Sequence, residues 1–224
     1  MQEPEKVFVL HTRPFRESST LIDFFSIRGR FRAVYRGARG KSGSVVRLFQ
    51  LFEGQFRGRT ELKTVHRVEP LAPPFLLSGD ALFSGLYLNE LIVRLLLPEE
   101  PHPAIFHQYA NTLLALSAGK DVEPPLRNFE WTLLDELGYG FSLEVDSRGN
   151  AIDPKSIYRF APDEGLECIP SYQPGAFHGS ELLALSGADW SEAGVLKSAK
   201  RLMRQAYAPL LSGKPLISRE LFLK

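Results

Sequence analysis

Between Arg28 and Arg47 the sequence carries Arg28, Arg30, Arg32, Arg36, Arg39, Lys41 and Arg47, and no acidic residue. Guanidinium and ammonium groups at that density suit one task above others. They neutralise successive phosphates along a nucleic-acid backbone without reading its sequence. Strand alternation sorts the run: Phe31, Ala33 and Tyr35 face one way, and Arg30, Arg32, Val34 and Arg36 the other. If the apolar side fills a core, three arginines stand outside. Arg13, on the segment before, is a further candidate. The loop GARGKSGS is rich in glycine, so its backbone can approach a phosphate closely, with Arg39 and Lys41 supplying charge. The competing reading is a solvated arginine strand paired with acids elsewhere in the chain.

The charge is unevenly placed. Residues 1–69 hold fourteen Lys+Arg and seven Asp+Glu, a net of +7. The remainder holds thirteen basic and nineteen acidic residues, a net of −6. A basic first module joined to an acidic one points to a polyanion partner for the first. A second basic set, Lys197, Lys200, Arg201 and Arg204, is spaced i, i+3, i+4, i+7 and so shares one helix face. With Leu196, Leu202, Met203 and Tyr207 nearby, it suits an acidic peptide with an apolar end. A solvated face complementing the helix dipole is the alternative.

Enzymatic signals are absent. There is no G-x-x-x-x-G-K-[ST] loop, no H-E-x-x-H and no G-x-S-x-G. No catalytic residue and no cofactor are expected. A single cysteine, Cys168, rules out a Cys-rich zinc site and an internal disulfide. His102 and His107 lack a Cys or clear carboxylate partner, and surface or capping roles are expected for them. The most apolar stretch, Leu86–Leu97, is interrupted by Asn89, Glu90 and Arg94 and is too short to cross a bilayer. With no signal peptide at the N-terminus, a soluble cytoplasmic protein without membrane contact is expected.

The elements that must position these groups fall into two regions. KVFVLHTRPF, STLIDFFSI, RFRAVYRGAR, RLFQLFEGQFRG and ELKTVHRVE read as five strands. Five strands in so short a span suit a small closed barrel of OB type, which leaves no exposed sheet edge. The prolines of EPLAPPFLLSG mark the junction, placing a barrel domain at 1–72 and a helical domain at 75–224. Helices are predicted from Asp80 to Pro98, from about Pro103, from Pro124–Pro125 to Gly138, and from about Ser191 to Leu211. Residues 141–178 are punctuated by Gly, Pro and Asp and read as a small irregular knob. The fold class is therefore α+β with two domains.

Four separated blocks resemble the RecO family of bacterial DNA recombination and repair mediators. They are VFVLHTRPFRESSTLIDFFS followed by GRFRAVYRGAR, then LFSGLYLNELIVRLL, RNFEWTLLDELGYG and GKPLISRELF. The resemblance implies an OB-fold followed by a helical domain. It also implies binding to single- and double-stranded DNA and annealing of complementary strands at the nucleoid. Docking on the acidic C-terminal tail of single-strand DNA-binding protein is implied too, as is partnership with RecR in loading RecA. It adds Arg127 to the basic stripe as a candidate for tail binding. Some members carry a four-cysteine zinc motif after the G-Y-G segment; here only Cys168 is present, so no metal is expected. A protein–protein adaptor with incidental DNA affinity is the runner-up.

Overall fold

The computed structural model describes residues 3–36, 46–58, 62–119, 121–191 and 193–223. The first five strands are β1 (Glu5–Phe15), β2 (Ser19–Ser26), β3 (Gly29–Tyr35), β4 (Leu51–Arg57) and β5 (Leu62–Pro70). They close into a barrel in the order β1-β2-β3-β5-β4. All pairings are antiparallel except β3 with β5, where Val34 lies opposite Thr64. This is the OB-like barrel expected from the strand pattern. Its interior is filled by Val7, Val9, Ile22, Phe24, Phe31, Ala33, Phe52, Phe56 and Val65. Phe31 and Ala33 point inward, and Tyr35 packs beside them, as period-two alternation requires.

Two helices follow, α1 (Gly79–Leu95) and α2 (Pro103–Ser117). They belong to the barrel by packing. Phe8 and Phe25 point out of the barrel yet are almost fully buried. The rings of Phe106 and Tyr109 on α2 cover them at centroid distances of 5.0 to 6.2 Å. Burying each of these side chains is worth about 1.5–3 kcal/mol, which fixes the helices to that wall. The chain thus divides into two compact units, Met1–Val122 with Leu216–Lys224, and Glu123–Pro215. The helical domain expected over 75–224 is divided, because the barrel's outward aromatics need α1 and α2 as cover.

The first unit is completed by a 3-10 segment, Ile217–Leu223, returning from far along the chain. The Glu90 carboxylate on α1 accepts hydrogen bonds from the N–H of Ile217 (2.9 Å) and from the N–H and hydroxyl of Ser218 (2.8 and 2.6 Å). Leu216 is fully buried and the Phe222 ring meets Phe83 at 5.6 Å.

The second unit contains α3 (Glu123–Glu136), β6 (Ile157–Ala161), β7 (Gly165–Ile169), β8 (Phe177–His178), α4 (Gly179–Ser186) and α5 (Ala193–Leu210). The segment expected as a knob, 141–178, holds more order than its pattern gives away. Its three short strands pair antiparallel in the order β7-β6-β8. Tyr158, Leu166 and Phe177 on the sheet pack with Leu182, Leu185, Val195, Ala199 and Leu202. Cys168 is exposed.

Candidate nucleic-acid interface

The outward residues of the barrel form rows across the strands, and their register can be followed ladder by ladder. His11 on β1 lies opposite Asp23 on β2, which lies opposite Arg32 on β3. The next outward row runs Arg13, Leu21, Val34, Thr64 and Arg57, through all five strands. Arg13, Arg36 and Arg57 are exposed, and the Arg32 side chain keeps 41% of its surface. Arg28 is exposed in the turn from β2 to β3, and Arg47 is exposed before β4.

A bulge decides that β1 contributes to this wall. Val7 and Val9 point inward, so unbroken alternation would send His11 and Arg13 inward too. Leu10 is the extra residue, lying between the pairs Val9–Phe24 and His11–Asp23. It reverses the parity and turns His11 and Arg13 out. The Leu10 carbonyl accepts a hydrogen bond from the Asn89 amide on α1 at 2.9 Å. Asn89 in turn accepts from the Tyr109 hydroxyl at 2.6 Å. Both side chains are buried, so helix-borne groups maintain the bulge from behind the wall.

Arg30 is a correction to the sequence reading. It was expected on the outer wall with Arg32 and Arg36, but it is half-buried and its Nε donates to the Leu96 carbonyl at 2.7 Å. The N–H of Glu99 returns a bond to the Arg30 carbonyl at 2.8 Å. Burial lowers the Arg30 pKa; Asp23 opposes that shift and Arg32 adds to it. Gly29 makes this approach possible: its φ is +107°, and a Cβ there would lie 2.3 Å from the Glu100 carbonyl oxygen. Arg39 and Lys41 lie outside the described residues.

A groove of about 770 Å³ opens beside the wall, lined by Phe15, Arg16, Val34, Arg36, Leu62, Lys63 and Thr64 among others. Sequence reasoning passed over Arg16 and Lys63. Arg16 is exposed in the turn after β1, with its guanidinium 5.3 Å from the Phe15 ring centre. Its nearness to Arg13 in R-P-F-R was the available signal. Lys63 is mostly buried, over the Phe31 ring at 4.5 Å and paired with Glu99 at 2.9 Å. It therefore serves the barrel rather than a ligand.

The second unit treats its basic residues differently. Arg127 is only 6% exposed and lies 2.9 Å from Glu130 and 3.5 Å from Glu123. Of the two roles the sequence left open for Arg127, meeting an acidic tail or an internal carboxylate, the geometry displays the second: the guanidinium is the inner partner of two carboxylates. Lys200 pairs with Glu123 at 3.1 Å. Arg201 donates to the Ala176 carbonyl at 2.8 Å and lies over the Phe177 ring at 4.5 Å. Lys197 and Arg204 are exposed. A separate cavity of about 220 Å³ is lined by Tyr139, Phe141, Phe160, Ala206, Pro209 and Leu210, with Asp163 and Glu164 also on its wall.

Among the described residues, no group of three or more His, Cys, Asp and Glu could hold a metal ion, and no helix is long and apolar enough to cross a membrane. His102 occupies the N-cap position of α2 and is buried.

A closed five-stranded OB-like barrel with a basic outer wall, followed by helices and a small sheet, defines the class of this protein. The chain belongs to the RecO family of DNA repair and recombination proteins. Residues 1–74 match the family model "Recombination protein O N terminal" and residues 76–220 match "Recombination protein O C terminal". It is 57% identical to the DNA repair protein RecO of Pseudomonas paraeruginosa over 219 residues, covering 98% of this chain and 94% of that protein. It is 56% identical to that of Stutzerimonas stutzeri over 223 residues, covering 100% and 94%. With that of Pseudomonas putida the identity is 55% over 226 residues, covering both chains in full.

Proposed function

We propose that this chain is a non-catalytic recombination mediator whose barrel wall binds single- and double-stranded DNA through the sugar–phosphate backbone. The observation that carries this reading is the solvent-exposed set of Arg13, Arg28 and Arg36 on the barrel, with Arg32 keeping 41% of its side-chain surface. Positive charge there lowers the repulsion between two strands, and contacts to phosphate leave the bases free to pair. Annealing of complementary strands then needs no chemical step and no nucleotide. In this reading RecR acts with the protein to load RecA on coated strands. The acidic tail of single-strand DNA-binding protein is met by Lys197 and Arg204, the two most exposed members of the α5 stripe.

Fluorescence anisotropy with a labelled single strand across a salt series tests the wall. Full phosphate contacts from Arg13, Arg28 and Arg36 give a slope of log K on log salt of about −2.1. The Arg13→Ala, Arg28→Ala, Arg36→Ala triple variant is expected to bind roughly a hundredfold more weakly at 0.1 M salt, with a slope shallower by about 2. A triple variant that binds like the parent would remove the wall from the mechanism. Binding of an acidic, phenylalanine-ended peptide that survives Lys197→Ala with Arg204→Ala would remove the α5 stripe.

A further inference from the structure

The outer wall contains one carboxylate at its centre, Asp23, whose charge acts on the half-buried Arg30 as well as on Arg32. Asp23 is the only acid on β2 or β3. Its neighbours on the same face of β2, Leu21 and Phe25, are apolar. The carboxylate lies 3.9 Å from His11 Nδ1 and 4.0 Å from Arg32 Nε, with only 12% of its side chain exposed. Both separations exceed a hydrogen bond, so Arg32 is drawn to Asp23 by charge and not locked by geometry. Arg30, at 2.7 Å from a carbonyl, is the locked case on the same strand. Asp23 sits too deep to meet a ligand itself, yet close enough to cancel part of the charge that would.

We propose that Asp23 is a built-in phosphate mimic. It parks Arg32 along the wall when no strand is bound, and it keeps the affinity for a DNA backbone low enough for a bound strand to be released. The inference rests on the backbone-binding reading above. A phosphate arriving at the wall takes over Arg32 from Asp23, so the Arg32 contact is an exchange of one anion for another and adds little net counterion release. Replacing the carboxylate with a neutral group turns that exchange into a full contact.

The test uses the full chain with Asp23→Asn and Asp23→Ser, compared with the parent by anisotropy on a mixed-sequence single strand across a salt series. Either variant that keeps the parent's circular dichroism is expected to bind about fivefold more tightly at 0.1 M salt, with a slope steeper by about 0.7, the share of one released phosphate contact. Dissociation slows correspondingly. Adding Arg32→Ala to Asp23→Asn abolishes both gains. A folded variant with the parent's affinity and slope overturns the proposal, as does a gain that survives Arg32→Ala. Loss of fold in both variants also overturns it, because Asp23 would then serve the barrel's stability. If Arg13→Ala with Arg36→Ala costs no affinity, the wall reading itself fails. If that pair weakens binding while Asp23→Asn does nothing, this inference fails alone.

Discussion

On the barrel, Arg13, Arg28 and Arg36 reach solvent, whereas beside α5 the residues Arg127, Lys200 and Arg201 each meet a carboxylate, a carbonyl or a ring. The residue types are the same and the local densities similar. The neighbours differ. A strand sends alternate residues to opposite faces, so the inward half of β3 is apolar and offers its arginines no partner. A helix places residues three and four apart side by side. On α3, Glu123 and Glu130 stand at i−4 and i+3 from Arg127 and close around it. The same charge is therefore a structural part in one unit and a solvent-facing surface in the other. Counting basic residues does not separate the two cases; asking what each can reach does.

The sharpest way to break this comparison is Arg127→Ala. It leaves Glu130 buried without its guanidinium, and a loss of about 3–5 kcal/mol is expected in urea unfolding of the second unit. A variant as stable as the parent would mean that Arg127 is not the internal partner described. Arg30→Ala comes next. It removes a part-buried hydrogen bond from a charged donor and should cost about 1.5–3 kcal/mol in stability. Its DNA affinity should change far less than that of the triple wall variant. Equal loss of affinity would return Arg30 to the wall. Asn89→Ala leaves the Leu10 carbonyl and the Tyr109 hydroxyl without their partner, at about 1–3 kcal/mol. Because the bulge turns Arg13 outward, a shallower salt slope should accompany that loss.

The smallest effect concerns pH. Burial opposes ionisation of Glu90, but bonds from the Ser218 hydroxyl and N–H, the Ile217 N–H and the charge of Arg94 outweigh it and hold its pKa below the usual value. A depressed carboxylate favours the folded state above its unfolded pKa, and that contribution disappears as pH falls through the folded value. The thermal stability of the first unit should therefore fall on acidification below about pH 4.5, and Glu90→Gln should flatten part of that dependence. A variant with the parent's full acid sensitivity would show that other carboxylates govern it.

The barrel was legible in the sequence because short strands with period-two alternation leave a strong local signal. Phe31 and Ala33 inside with Arg32 outside follows from that period alone. What stayed hidden depends on distant partners. Arg30 is fixed by the carbonyl of Leu96, 66 residues away, and the bulge at Leu10 by Asn89, 79 residues away. The three strands of the small sheet are only two to five residues long, too short to show a period. Helix α4 has eight residues between Gly179 and Gly187, and its start is marked by a capping box between His178 and Glu181 that single-residue preferences do not reveal. The fate of Arg127 was available from its spacing to Glu123 and Glu130, which stand on the same helix face at i−4 and i+3.

The Glu90 clasp has a consequence for synthesis on the ribosome. Its donors, Ile217 and Ser218, emerge only after the whole of residues 123–215 has been made. At ordinary elongation rates that is a delay of roughly 5–20 s after α1 and α2 are complete. The second unit can finish folding within that interval, while α1 waits with the Glu90 carboxylate and the Phe83 ring uncovered. The first region to be translated is thus the last to be sealed. A nascent chain stalled before residue 216 would expose that apolar seam to chaperones or to another unfinished chain.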